Sequence, residues 1–256
     1  MPDYSAIDLP QITEMVFYPQ KAYTPCPMNA FDLAIPVDEK VEVLTRFYTK
    51  ELNQPVILYF HGNGEVIYDY DNIAPIYNNL GVNLIVADYR GYGSSGGAPS
   101  FTNVCRDAKT IFASVKNELT KRGYLGKLWI MGRSLGSLSA LEIAVLHQDQ
   151  IEGLIIESGF ANVVRVMNAL NFFVQKLSLP QFDQECLDML KSITLPALLL
   201  HGDEDQIVPY KEGVYIYENL GSLDKKMVTV SRAGHNDIMY VGLRQYFEAV
   251  RNFIFK

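Results

Sequence analysis

The sequence predicts an α/β fold, a mostly parallel sheet with helices on both faces, and three observations predict it. Several runs of three to five residues, among them Val56–Phe60, 84–87 and 154–156, are apolar throughout and too short to be helices. Strands covered on both faces read this way. Longer segments between them repeat their apolar residues every 3.6 positions, most clearly at Val104, Ala108, Ile111, Phe112, Val115 and Leu119. No internal repeat or low-complexity linker breaks the alternation, so residues 1–256 are expected to form a single domain.

In chain order, residues 1–30 form a Pro- and Tyr-rich arm, irregular up to about Pro27 and expected to lie over the domain. Strands follow at 31–36 and at Val41–Tyr48, where Val41, Val43 and Phe47 alternate with polar neighbours. Strand Val56–Phe60 runs into His61-Gly62-Asn63-Gly64-Glu65 and then a helix over 67–80. Strand 84–87 opens the loop 88–97, and a helix fills 102–121. Strand 128–131 leads into Gly132-Arg133-Ser134-Leu135-Gly136 and a helix over 138–146. Strand 154–156 ends in Glu157-Ser158-Gly159-Phe160, strand 196–200 in His201-Gly202-Asp203-Glu204-Asp205, and strand 227–230 in the loop 231–237. An amphipathic helix over 240–255 finishes a chain of eight predicted strands.

The segment 161–194 is too long for a simple strand-to-helix connection. It carries Phe172, Phe173, Val174, Leu177 and Leu179, then Pro180 and a helical stretch around 184–190. It reads either as a small helical cap supplying an apolar pocket or as one sheet-covering helix with a linker.

Composition narrows the function. Hydrophobic residues at 48% with 20% charged suit a globular chain with a sizeable core. A net charge of −7 argues against nucleic acid or an anionic membrane surface as partner. The first residues lack the basic start and apolar core of a signal peptide, and no segment is long and apolar enough to span a bilayer. Cys26, Cys105 and Cys186 are odd in number and widely spaced, suggesting neither a disulfide framework nor a zinc site. Unpaired thiols in a reducing cytoplasm are the expectation.

A strand, Gly-x-Ser-x-Gly and a helix in succession put Ser134 on a tight reversal. There its hydroxyl stands clear of the sheet and the next helix N-terminus faces it. Gly132 and Gly136 suit positions where backbone must pass close by. On these residues the sequence resembles the nucleophile elbow of the α/β-hydrolase superfamily. The resemblance runs from about Phe31 to the C-terminus and extends to the His61-Gly62-Asn63-Gly64 loop, the stretch His201 to Pro209 and Gly234-His235-Asn236-Asp237. Together these look most like the small-capped Bem46-like branch, which includes membrane-associated depalmitoylases and lysophospholipases as well as soluble bacterial esterases. The resemblance implies an eight-stranded α/β-hydrolase sheet with a helical cap at about 161–194. The membrane-bound relatives carry an N-terminal membrane segment or a cysteine-rich lipidation tail, and the expectation from this sequence is that neither is present.

A serine hydroxyl needs a base, and the base an orienting group. Of the four histidines, His147 ends the elbow helix, and His61 and His201 each close a strand before a glycine, where they hold loop backbone. His235 sits in the polar loop beyond the last strand, within reach of Ser134 and where the family keeps its histidine. For the acid, Asp205, Asp203 and Glu157 are candidates. The family's loop pattern implies Asp205, with Asp203 facing solvent. Asp203, Glu204 and Asp205 read as loop carboxylates rather than a cation site, since no second cluster accompanies them. The resemblance further implies oxyanion donors at the Leu135 and Asn63 backbone, with Gly64 letting substrate approach. Glu65 reads as helix-dipole compensation and the 88–94 loop as structural. Gly91, Gly93 and Gly96 do not make a dinucleotide fingerprint, as no helix opens directly after them.

These readings imply a cofactor-free serine hydrolase of small-molecule esters or thioesters, with Phe160, Phe172 and Phe173 as pocket residues. An amidase or peptidase, a perhydrolase on the same residues, and a non-catalytic binding protein on this scaffold are the alternatives.

Overall fold

The computed structural model describes residues 1–171 and 177–256. Its eight strands are β1 (Ala30–Asp38), β2 (Val41–Tyr48), β3 (Val56–Phe60), β4 (Asn83–Ala87), β5 (Leu128–Arg133), β6 (Gly153–Glu157), β7 (Ala197–Gly202) and β8 (Lys225–Val230). They lie in one sheet, ordered β1-β2-β4-β3-β5-β6-β7-β8. β1 and β2 pair antiparallel and β2 joins β4 antiparallel, while every other pairing is parallel. All eight strand readings fall on these elements.

The helices are α1 (Pro10–Val16), α2 (Ala74–Asn79), α3 (Phe101–Lys121), α4 (Gly136–Leu146), α5 (Val163–Ala169), α6 (Pro180–Ser192), α7 (Tyr210–Asn219), α8 (Ile238–Val241) and α9 (Leu243–Ile254). Successive residues of β5 show how they cover both faces. Met131 Sδ takes a hydrogen bond from the Tyr77 hydroxyl of α2, whereas a Cβ at the next residue, Gly132, would press on Ala140 of α4. Alternation along a strand forces this. On the first face Tyr77 of α2 packs edge-on against Phe247 of α9 with ring centroids 5.2 Å apart. On the second, the α4 residues from Gly136 to Ala144 are all buried.

Three expectations need correction. The helix over 67–80 is a 3₁₀ turn, Ile67–Tyr70, followed by α2, because Pro75 lacks an N–H and fits only a first helical turn. The helix over 240–255 breaks at Gly242, whose backbone lies so close to Val230 of β8 that a Cβ would sit 2.5 Å from its side chain. The arm is not wholly irregular, since Pro10 opens α1 at a position where its missing donor costs nothing. α7, unmarked by any strong periodicity, fills the β7–β8 connection with Gly213 packed on His201.

Candidate active site

β5 ends in a reversal whose geometry its glycines permit. Ser134 has φ +50, a left-handed conformation rare for a residue with a side chain. A Cβ on Gly136 would stand 2.0 Å from the Phe60 carbonyl, and one on Gly132 2.3 Å from the Gly136 carbonyl. Ser134 N–H donates to the Glu157 carbonyl of the adjacent strand at 2.9 Å, tying the reversal to the sheet.

The loops after β7 and β8 come to the same rim. His235 Nε2 lies 3.0 Å from Ser134 Oγ, and its Nδ1 lies 2.7 Å from Asp205 Oδ2. Asp205 Oδ1 accepts from the Ile207 and Val208 N–H groups at 2.9 and 2.8 Å. Burial alone would raise the Asp205 carboxyl. Hydrogen bonds from His201, His235 and the Val208 amide outweigh it and hold the group well below the usual carboxylate range. An ionised Asp205 places the imidazole proton on Nδ1, so Nε2 is free to accept from Ser134. All three residues are only 6–7% exposed.

The other candidates lie elsewhere. Glu157 is fully buried behind the elbow, where its Oε2 accepts from the Tyr246 and Tyr59 hydroxyls at 2.6 and 3.1 Å. Its Oε1 accepts from Arg133 at 3.2 Å. Burial pushes its carboxyl up despite these partners. Asp203 is exposed and accepts from the Arg232 N–H. His61 is buried between Asp88 and its own loop backbone, His201 donates to the Val208 carbonyl, and His147 stacks on Phe112.

Arg133, inside the elbow, carries more than its position suggested. It pairs with Glu65 and Glu157 and donates to the His235 carbonyl at 2.8 Å and to Asn236 Oδ1 at 3.0 Å. Glu65 therefore does not serve a helix dipole. It holds Arg133, the Gly62 N–H at 2.6 Å and the Tyr70 hydroxyl at 2.9 Å.

Among the described residues, the N–H groups of Asn63 and Leu135 find no protein acceptor, and both residues line a cavity of about 260 Å³ at Ser134. Phe160 also lines it, as do Val163, Val166, Met167 and Leu170. That spacing puts the last four on one face of α5 and its C-terminal end, a periodicity visible in sequence. Ile207, Val208 and Asn236 complete one side, and Val16 and Tyr18 of the arm another part of the wall. No pattern in the sequence points to the arm. Gly64, expected to admit substrate, is not in the lining; its φ of +78 serves the turn, and Tyr18 stands beside it. Phe172 and Phe173 lie outside the described residues.

This sheet order, with a strained serine between β5 and α4, is that of an α/β-hydrolase. The family model described as serine aminopeptidase, S33 matches residues 52–183 and 177–239. Protein bem46 of Schizosaccharomyces pombe is 27% identical over 208 residues, covering 79% of this chain and 68% of that protein. The lysophosphatidylserine lipase ABHD12 of Danio rerio is 30% identical over 185 residues, covering 65% of this chain and 47% of that one. The chain thus spans between about half and two thirds of the length of these relatives. The esterase Pf2001 of Pyrococcus furiosus superposes with a TM-score of 0.73 at 17% identity, over 92% of this chain and 97% of that one. The chain belongs to the matched family, within the α/β-hydrolase superfamily, and is a Bem46-like member of it. Family and neighbours support hydrolase activity. Among the described residues no helix is long and apolar enough to cross a membrane.

Proposed function

We propose that the chain is a serine hydrolase cleaving carboxylic esters or thioesters of apolar acyl groups, with Ser134 as nucleophile, His235 as base and Asp205 as orienting acid. The observation that carries this reading is the unbroken run of hydrogen bonds from Asp205 through His235 to Ser134, opening on a mainly apolar cavity.

His235 Nε2 takes the hydroxyl proton as Ser134 Oγ bonds to the acyl carbon, and Asp205 stabilises the imidazolium that forms. The resulting oxyanion is met by the Leu135 and Asn63 N–H groups, each worth about 3 kcal/mol in the transition state. Nε2 then passes its proton to the departing alkoxide or thiolate, leaving an acyl-Ser134. Water gives a proton to Nε2 and its oxygen to the acyl carbon, and the carboxylic acid departs as the proton returns to Oγ.

The family's description as an aminopeptidase raises an amide reading. Such a site needs an anionic group for the substrate's amino terminus, and the described lining of this cavity has no carboxylate. That favours an ester of an apolar acyl group. The connection carrying α5 and α6 is read as the cap of a single hydrolase domain. The thiols of Cys26, Cys105 and Cys186, all unpaired, support a reducing compartment such as the cytoplasm.

A fluorophosphonate probe tests the reading. Covalent labelling that disappears in Ser134→Ala, with p-nitrophenyl ester turnover lost alongside, is the expected result. Folded protein that takes no label would favour a binding protein on this scaffold.

A further inference from the structure

The arm passes the site under the hold of one side chain. Asn63 Nδ2 donates to the Val16 carbonyl at 2.5 Å, and its Oδ1 accepts from the Tyr18 N–H at 3.0 Å and from the Tyr92 hydroxyl at 2.5 Å. The carboxamide thus brackets Phe17 as a paired strand residue would, with one bond on either side. Phe17 itself is buried, its ring 4.9 Å from that of Phe101. Further along, the Gln20 carbonyl accepts from Gly93 N–H at 2.8 Å, and Lys21 Nζ donates to the Ser95 carbonyl at 3.0 Å. Residues 16–18 are therefore a docked strap whose two flanking residues, Val16 and Tyr18, line the cavity at Ser134.

We infer that this strap is the specificity wall of the acyl site, and that Asn63 sets the acyl length accepted by docking it. The inference rests on the hydrolase reading. Val16 is half-buried and faces the cavity shared with α5, so its bulk limits the room for an acyl tail. Tyr18 is 59% exposed while still lining the cavity, which places it at the mouth. Asn63 joins wall to chemistry, since it lines the cavity with its N–H left without a protein acceptor among the described residues while its side chain holds the strap. An over-long tail that displaces the strap pulls on the oxyanion loop, so excess length is read in kcat as well as in KM.

The test is a series of p-nitrophenyl esters from acetate to hexadecanoate on the full chain, with fluorophosphonate labelling of Ser134 measured in parallel. Val16→Trp is expected to lower the octanoate-to-acetate ratio of kcat/KM by roughly tenfold or more, as lost methylene contacts do. Tyr18→Ala, at an exposed position that spares folding, is expected to move the optimum to longer chains. Asn63→Asp, which sets a carboxylate against the Val16 carbonyl, is expected to lower kcat for long esters more than for acetate. Labelled variants whose chain-length ratios stay within about twofold of the parent would overturn the inference alone. A parent chain that takes no label would sink the hydrolase reading and the inference with it.

Discussion

The Arg133 guanidinium donates to the backbone carbonyl of His235 across 2.8 Å, so the residue before Ser134 ties down the loop that carries His235. The same side chain is buried between Glu65 and Glu157. Burial alone would discourage its charge, and the two carboxylates outweigh that and hold it protonated. Glu65 in turn holds the Gly62 N–H, next to Asn63 in the loop after β3. Three loops from distant parts of the chain are thereby set by one cation.

Replacing Arg133 with Met would leave the buried Glu157 and the half-buried Glu65 without their shared cation. Removing one partner of a buried pair costs about 3–5 kcal/mol. The expected outcome is a large fall in the urea midpoint together with a fall in kcat, as the His235 loop loses its tether. Adding Glu157→Gln should restore part of the stability but not the tether, so the double variant recovers its midpoint more than its turnover. Equal recovery of both would show that Arg133 does not position His235.

Gly136→Ala tests the elbow. The added methyl would stand 2.0 Å from the Phe60 carbonyl, which belongs to β3 and has nowhere to retreat. Overpacking of this kind costs about 1–3 kcal/mol, and here relief means moving the start of α4 and the Leu135 N–H with it. The acyl-enzyme burst with a p-nitrophenyl ester should slow markedly. A burst rate equal to the parent's would mean that the reversal tolerates a Cβ.

What the sequence made legible, and what it did not, follows the range of the interactions. The strands were readable because central parallel strands are apolar on both faces, as in Val56–Phe60, and this needs no knowledge of partners. Ser134 and His235 stand in short local patterns at strand ends, Asp205 is singled out from Asp203 and Glu157 only by the resemblance to the family's loop, and the structure brings the three together. Arg133 was not legible, because its partners Glu65 and Glu157 lie 68 and 24 residues away. Nor was the docking of the arm, which depends on one carboxamide 45 residues from Tyr18. Helix 67–80 failed because apolar periodicity is blind to Pro75, and α7 because Gly213 and the buried Glu212 dilute its pattern.

A second long-range contact of the arm gives a stability prediction. Asp8 Oδ1 and Oδ2 accept from the Phe101 and Thr102 N–H groups at 2.7 and 3.0 Å, beside Ser100, whose hydroxyl accepts from Asn103 N–H. The first turn of α3 is thus capped by a residue 93 positions away, with its charge suited to the helix N-terminus. Asp8→Ala should cost about 1 kcal/mol by urea unfolding, and amide exchange at Phe101 and Thr102 should quicken. Asp8→Asn, which keeps one acceptor, should lose less. Unchanged exchange in the alanine variant would mean that water caps the helix equally well.

The last prediction concerns pH and His61. Its ring is buried, with Nδ1 2.8 Å from the Gly62 carbonyl and Nε2 3.0 Å from Asp88 Oδ1. Both partners accept, so the ring satisfies both only as an imidazolium carrying two protons. Burial by itself lowers the basicity of the ring, but the bond to Asp88, that carboxylate's charge, the Gly62 carbonyl and the nearby Glu65 outweigh it and raise it above the ordinary histidine value. Tyr89 and Tyr92 pack against the ring and bring no charge of their own at neutral pH, since burial raises both hydroxyls. A raised value in the folded state means that the folded chain holds this proton more tightly than the unfolded one, whose ring titrates near about 6.5. Its contribution to stability is therefore complete below about pH 6.5 and is lost as pH rises through the higher folded value. Urea unfolding followed from pH 6 to 9 should show stability declining along this limb, and His61→Gln should flatten it while lowering stability at pH 6. A decline of the same slope in the glutamine variant would assign the proton to another group, and ring nitrogen shifts of His61 that show a neutral tautomer at pH 6 would refute the imidazolium outright.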